Sequence, residues 1–189
     1  LSGVHPVDLL ALVLRSVLAR SGLDSVQIDD VMIGCVSQVG EQAMNIGRQA
    51  VLAAGFDASV PATSIDRQCG SSQQAVHFAA QAIRSGAADI VIAGGVESMS
   101  RVPLGSSLAG GTPMTSLGLA ARYPDGLVHQ GVSAELIAER WGIDRDELDQ
   151  YAAQSHARAA AAAEAGRFDA QMLPVQTPQR TVTRDETVR

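Results

Sequence analysis

The chain has 189 residues, 46% of them hydrophobic and only 3% aromatic, enough for one sizeable domain or one domain plus an appendage, with an interior built from Ala, Val, Leu and Ile. A formal net charge of −6 excludes a general nucleic-acid binder, which needs a basic surface, but still allows a local basic pocket for one anionic ligand. All 14 Lys-or-Arg positions are Arg, which removes lysine as a Schiff base and leaves guanidinium as the side-chain cation for an anion.

Residues 6–21, "PVDLLALVLRSVLARS", predict a helix with Pro6 in its first turn and Gly22 as its stop. Val7, Leu10, Val13, Leu14, Val17 and Leu18 recur at helical spacing along one face. "DVMIGCV" (30–36) reads as a buried strand, and "NIGRQAVLAAG" (45–55) as a helix capped by Asn45 and stopped by Gly55. "VPATSID" (60–66) reads as a short strand, Cys69 to about Arg84 as a third helix, and "ADIVIAGG" (88–95) as a strand ending in a double glycine. Such alternation is the rhythm of a layered α/β domain. The strands are continuous apolar runs, so the sheet should be covered on both faces.

The pattern changes after residue 98. Residues 99–128 are rich in Gly, Ser and Pro without a sustained period, which predicts an irregular excursion. Helices are predicted over 132–141 and from Asp144 to about Gly166, the latter with Glu147 placed for a capping box. The stretch 174–189 carries Pro174, Pro178 and Thr-rich, strand-like pieces. There is no internal repeat, no visible signal peptide and no apolar run of the ~18 residues that a membrane span needs. Cys35 and Cys69 form neither a CxxC pair nor a zinc-like cluster with His. Neither a disulfide framework nor a metal site is expected, and a reducing, cytoplasmic location fits.

The stretch "IDRQCGSSQQAVHFAAQAIRSG" (65–86) places Cys69 at the head of the predicted third helix. A helix N-terminus offers unpaired N–H groups and a positive dipole end. A thiol held there loses its proton more readily, and thiolate is the nucleophile. Gly70, Ser71 and Ser72 keep the approach open, and the Cys69 amide is available to an oxyanion beside the sulfur. The alternative is a cysteine packed at a strand–helix junction, and spacing alone leaves both readings open. Cys35, within a strand, reads as a buried structural thiol. His5 reads as a cap or an exposed residue, His77 as filling on the helix after Cys69, and His156 as solvated. "AGGVESMS" lacks a GxGxxG or GxxxxGK pattern, so its glycines imply close backbone packing rather than a phosphate cradle.

"DRQCGSSQQAVHFAAQAIRSGAADIVIAGGVESMSRVP" resembles the nucleophile segment of the thiolases, the acyl-CoA C-acyltransferases. "HPVDLLALVLRSVLARSGLDSVQIDDVMIGCVSQVGEQAMNIGRQAVLAAG" resembles the helix, strand and helix that precede it in that family. "HQGVSAELIAERWGIDRDELDQYAAQSHARAAAAAEAGRFDAQMLPV" resembles the family's loop domain, and "RDETVR" its exit from that domain. Two departures stand out, "CGSSQQA" where many thiolases read Cys-Gly-Ser-Gly-Leu and "HQG" where many read His-Met-Gly. They fit a subgroup acting on bulkier acyl groups such as steroid side chains.

The resemblance implies a thiolase-like layered α/β fold with a mixed sheet between helices. Residues 1–98 would form a nucleophile domain lacking its first strand, and 99–189 a mostly helical loop domain that contacts CoA. It implies that Cys69 carries an acyl thioester, that His129 and Gln130 lie along the pantetheine of CoA, and that Arg189 lies near its adenine end. For His129 a surface-loop histidine, and for Arg189 a solvated charge, remain open alternatives. Acyl-CoA and CoA would be substrates, with no prosthetic group and no metal, in a homodimer or homotetramer. The family's base histidine, its asparagine-held water and its second cysteine lie in NEAF-like, GHP-like and CxGxG-like motifs, none of which occurs here. The C-terminal thiolase domain is therefore expected to be absent from these residues, which would be part of a longer chain, a truncation, or one half of a split enzyme with a second half-chain. Two rivals remain, a related condensing enzyme such as a ketoacyl or HMG-CoA synthase, and a non-catalytic CoA-binding or assembly subunit. The "HQGVSAE" match speaks against the first.

Overall fold

A computed structural model describes residues 1–188, and Arg189, the expected adenine contact, lies outside the described residues. The chain divides into two compact units, Leu1–Ala109 with Leu173–Val182, and Gly110–Met172 with Thr183–Arg189. The first unit therefore runs past the 98/99 boundary read from the sequence and takes back a later segment.

In the first unit, helix α1 spans Pro6–Ser21, with the His5 Nδ1 accepting the Val7 amide at its start and Gly22 left-handed at its end. Its buried face is Pro6, Val7, Leu10, Ala11 and Leu14. Val13 and Val17 are 44% and 42% exposed, so the buried stripe is narrower than the one expected. Small Ala11 at its centre turns the face toward helix α2, Ile46–Ala53, which buries Ile46, Gly47, Ala50 and Val51. Asn45 caps α2 by accepting the Arg48 amide, and Gly55 is left-handed just beyond its end.

Strands β1 (Asp30–Gly34), β2 (Ala62–Ile65) and β3 (Val91–Gly95) form a parallel sheet in the order β2-β1-β3. Successive β1 side chains alternate between the two faces. Val31 and Ile33, 0% and 1% exposed, join Leu10, Leu14, Ile46, Ala50 and Val51 in the main core. Truncating Leu14 or Ile33 to Ala would cost about 2–5 kcal/mol. Gly34 faces the other way, against helix α3 (Ser71–Arg84). The sheet is thus covered from both sides, as its apolar strands require. The resemblance implies a mixed sheet, whereas these three strands are all parallel. Among the described residues, antiparallel pairing joins only the short strands β4 (Val175–Gln176) and β5 (Thr181–Val182).

The connections explain where α3 lies. The β1-to-β2 crossover through α2 goes to one side of β1, and the β2-to-β3 crossover through α3 returns past β1 to the other. Right-handed crossovers in opposite directions place their helices on opposite faces. The strand order reverses beside β1, and the crevice at the carboxyl ends of strands around such a reversal is where open α/β sheets place ligands.

The second unit is helical. Helix α4 (Leu117–Arg122), capped by Ser116, lies within the stretch read as irregular. Its six residues are too few to establish a period. Helix α5 (Gln130–Trp141) ends at left-handed Gly142. Helix α6 (Arg145–Glu164) opens with the expected capping box. The Asp144 carboxylate accepts the Glu147 amide at 2.8 Å, and the Glu147 side chain accepts the Asp144 amide at 3.3 Å. Among the described residues, no helix is long and apolar enough to cross a membrane.

Candidate active site

Cys69 lies beyond the carboxyl end of β2 and is exposed. The third helix does not begin at Cys69, as read from the sequence, but two residues later at Ser71, with Gly70 as its N-cap. Between strand and helix the chain makes a tight corner. Gln68, just before the cysteine, has φ +48°, a left-handed conformation that a non-glycine residue adopts at a cost. From Arg67 to Ser71 the corner is held at every step but one. The Asp66 carboxylate accepts the Gln68 amide at 2.7 Å. The Gly70 amide donates to the Arg67 carbonyl at 3.1 Å and the Ser71 amide to the Gln68 carbonyl at 3.0 Å. The Ser71 hydroxyl accepts the Arg67 amide at 2.9 Å and donates to the Gln68 carbonyl at 2.5 Å. The Arg67 guanidinium is tied to the Gln74 side chain on α3. Within residues 67–71, the Cys69 amide alone donates to no protein acceptor among the described residues.

The corner sits over the reversal in strand order. A Cβ on Gly34, the last residue of β1, would meet the Ser72 amide nitrogen at 2.3 Å, and one on Gly95, the last of β3, the Ser72 Oγ at 1.9 Å. The first turn of α3 rests on these two glycines, which pair with each other across the sheet. This is the close packing expected from the double glycine of "AGGVESMS", and Gly95 alone makes it, since Gly94 has open space beside it.

Beside the same strand ends lies a polar cluster that the sequence did not reveal. The half-buried Glu97 carboxylate accepts the Val36 amide at 2.7 Å, the Ser37 amide at 3.3 Å and the Gln42 side-chain amide at 2.9 Å. Gln42, 0% exposed, also donates to the Ser37 carbonyl and accepts the Ser98 amide. Cys35 is buried, as expected, and burial first, then the negative charges of Glu97 and Asp66, push its thiol up to about 12. A buried thiol raised in this way stays protonated at neutral pH.

In the second unit, His129 caps α5, its Nδ1 accepting the Gly131 amide at 3.2 Å. A neutral ring bonded in this way carries its proton on Nε2, which leaves an N–H donor. Gln130 is the first residue of α5, and both side chains are exposed. His77 is exposed on α3. From the sequence, Ser71, two residues after the cysteine, is expected only to keep the approach open. Ser71 is in fact 4% exposed, with its hydroxyl bonded on both sides.

An exposed thiol on a strained strand–turn–helix corner lies at the carboxyl ends of parallel strands, the side on which α/β domains place their ligand crevices. Residues 1–189 match the family described as "Thiolase, N-terminal domain", and the chain belongs to the thiolase family. It is 45% identical over 98% of its length to a steroid 3-ketoacyl-CoA thiolase, FadA6, of Mycobacterium tuberculosis, and 40% identical over 95% of its length to an acetyl-CoA acetyltransferase of Pseudomonas aeruginosa. These matches cover 47% and 48% of the two relatives, so the chain spans about half the length of the curated relatives it matches. Among solved structures, the acetyl-CoA acetyltransferase of Bacillus anthracis superposes with a TM-score of 0.82 at 33% identity, over 100% of this chain and 50% of that one.

Proposed function

We propose that the chain is the nucleophile-bearing half of a thiolase that interconverts acyl-CoA plus acetyl-CoA with 3-oxoacyl-CoA plus CoA through an acyl thioester on Cys69. In the thiolysis direction, the Cys69 sulfur attacks the C3 carbonyl of a 3-oxoacyl-CoA. The C2–C3 bond breaks, and its electron pair leaves on C2, which takes a proton as acetyl-CoA departs. The acyl group stays on sulfur until the thiol of a second CoA attacks it, losing its proton and returning the cysteine. Sulfur serves both steps as a strong nucleophile and a good leaving group. The unengaged Cys69 amide supports a role in stabilising the oxyanion formed beside it. The proton-accepting groups belong, in this reading, to chain beyond these residues or to a partner half-chain.

His129 and Gln130 are assigned to the CoA pantetheine, and the exposed Nε2–H of His129 supports that role. Arg189 is assigned to the adenine end, where a guanidinium suits the phosphates. The mycobacterial relative's name and the "CGSSQQA" departure favour a bulky acyl group. The active form is read as a homodimer or homotetramer in the cytoplasm, where its two free cysteines stay reduced.

The observation that carries the reading is the exposed Cys69 at a strained corner in a chain of this family. The test is mass spectrometry of the peptide containing Cys69 after the full-length protein meets an acyl-CoA. An added acyl mass that CoA removes, and that Cys69→Ala abolishes, supports it. A Cys69→Ala protein that still turns over overturns it, and a fully assembled protein that never acylates points instead to a non-catalytic subunit.

A further inference from the structure

We infer that Ser71 is a positioning residue for Cys69, an inference that rests on Cys69 being the nucleophile. Its hydroxyl bridges the residues that precede the cysteine, accepting from the Arg67 amide and donating to the Gln68 carbonyl. The proton is used in one direction and a lone pair in the other, so the bridge needs a hydroxyl. At 4% exposure, water cannot readily take its place. The bridge spans the one residue of the corner held at positive φ, Gln68 at +48°. Such a conformation persists only where its surroundings over-determine it.

Without the hydroxyl, the Arg67 amide loses its acceptor and the Gln68 carbonyl one of its two donors. Gln68 then relaxes toward an ordinary φ. The Gln68–Cys69 peptide plane turns with it and carries the sulfur and the Cys69 amide away from the carbonyl they must both meet. A misplacement of about 1 Å at reacting atoms costs on the order of a hundredfold in rate. Ser71 touches no substrate in this account and acts only through the orientation of its neighbour.

The experiment is a double-mutant cycle on the full-length enzyme, with thiolysis of acetoacetyl-CoA as the probe. Ser71→Ala is expected to lower kcat about ten- to a hundredfold while KM for CoA changes little. Glycine adopts positive φ without strain. In a Gln68→Gly background the same serine substitution should therefore cost less than about threefold, a coupling that a merely structural hydroxyl would not produce. Equal losses in both backgrounds, or wild-type kcat in Ser71→Ala, would overturn the inference. Should Ser71→Ala fail to fold, Ser71→Thr keeps the hydroxyl and is read in its place. Near-wild-type kcat then supports the inference, and a tenfold loss in a folded protein overturns it. Cys69→Ala run alongside separates the two claims. If it retains turnover, the nucleophile reading fails. If it is dead while Ser71→Ala is wild-type, only the positioning role fails.

Discussion

Gly34 and Ser72 lie so close that a Cβ added to Gly34 would sit 2.3 Å from the Ser72 amide nitrogen and 2.7 Å from its Cα. The obstacle is backbone, so no side-chain rotation relieves it. Gly34→Ala is expected to push the first turn of α3 off the sheet and destabilise the protein by about 1–3 kcal/mol or more. Urea unfolding gives the loss. The displacement should also slow acylation of Cys69, because the corner before α3 moves with its first turn.

The two cysteines should differ sharply toward a thiol reagent. Iodoacetamide at neutral pH is expected to modify exposed Cys69 in the native protein and to reach Cys35 only after denaturation. Peptide mapping by mass spectrometry reads both sites at once. Rapid native labelling of Cys35 would contradict its burial.

Burial of Cys35 also gives stability a pH dependence. Its thiol is raised from 9.0 to about 12 by desolvation first and by the negative charges of Glu97 and Asp66 second. Between those values the unfolded chain releases a proton that the folded chain keeps. The contribution is fully present below about 9 and is lost as pH rises through about 12. The stability advantage of wild type over Cys35→Ala should therefore shrink across that window, as measured by urea midpoints at stepped alkaline pH.

Gln42 fills a fully buried site with three hydrogen bonds, two donated by its amide and one accepted from the Ser98 amide. Gln42→Leu should cost about 2–4 kcal/mol, because the Ser98 amide and Ser37 carbonyl are left without this partner. Gln42→Glu places a second carboxylate against Glu97, and its loss should ease as the pH is lowered and one of the two carboxyls takes a proton. A denaturation series in pH distinguishes the two variants.

The Arg101 guanidinium holds Glu41 through Nε at 2.5 Å and Nη2 at 2.6 Å. That hydrogen bonding, opposed by some desolvation and helped by the positive charge, keeps the Glu41 carboxyl below its ordinary 4.5. The unfolded chain regains the ordinary value, so the contribution is present above about 4.5 and is lost as pH falls through the folded value. Wild type should exceed Glu41→Gln in urea midpoint at neutral pH, and the gap should close in acid. Because the pair is on the surface, salt should narrow it too.

Much of this protein is determined locally. The apolar stripe of α1, the cap and stop of α2, the capping box of α6 and the short β-rich runs follow from side chains within a few residues of one another. The same holds for Cys69, a thiol ahead of small residues and an amphipathic helix, and for the motifs that mark the thiolase family. What only the tertiary structure decided depends on partners distant along the chain. The Glu97 carboxylate meets amides some 60 residues away, and no period in the sequence records that meeting. Val13 and Val17 satisfy the spacing of the buried stripe yet face outward, because α2 takes up only the narrower face around Ala11. Helix α3 starts at Ser71 because the corner must turn through a left-handed Gln68 before the chain can settle on Gly34 and Gly95. Backbone conformation at such a corner is set by the sheet beneath it, and the residue letters alone do not carry it.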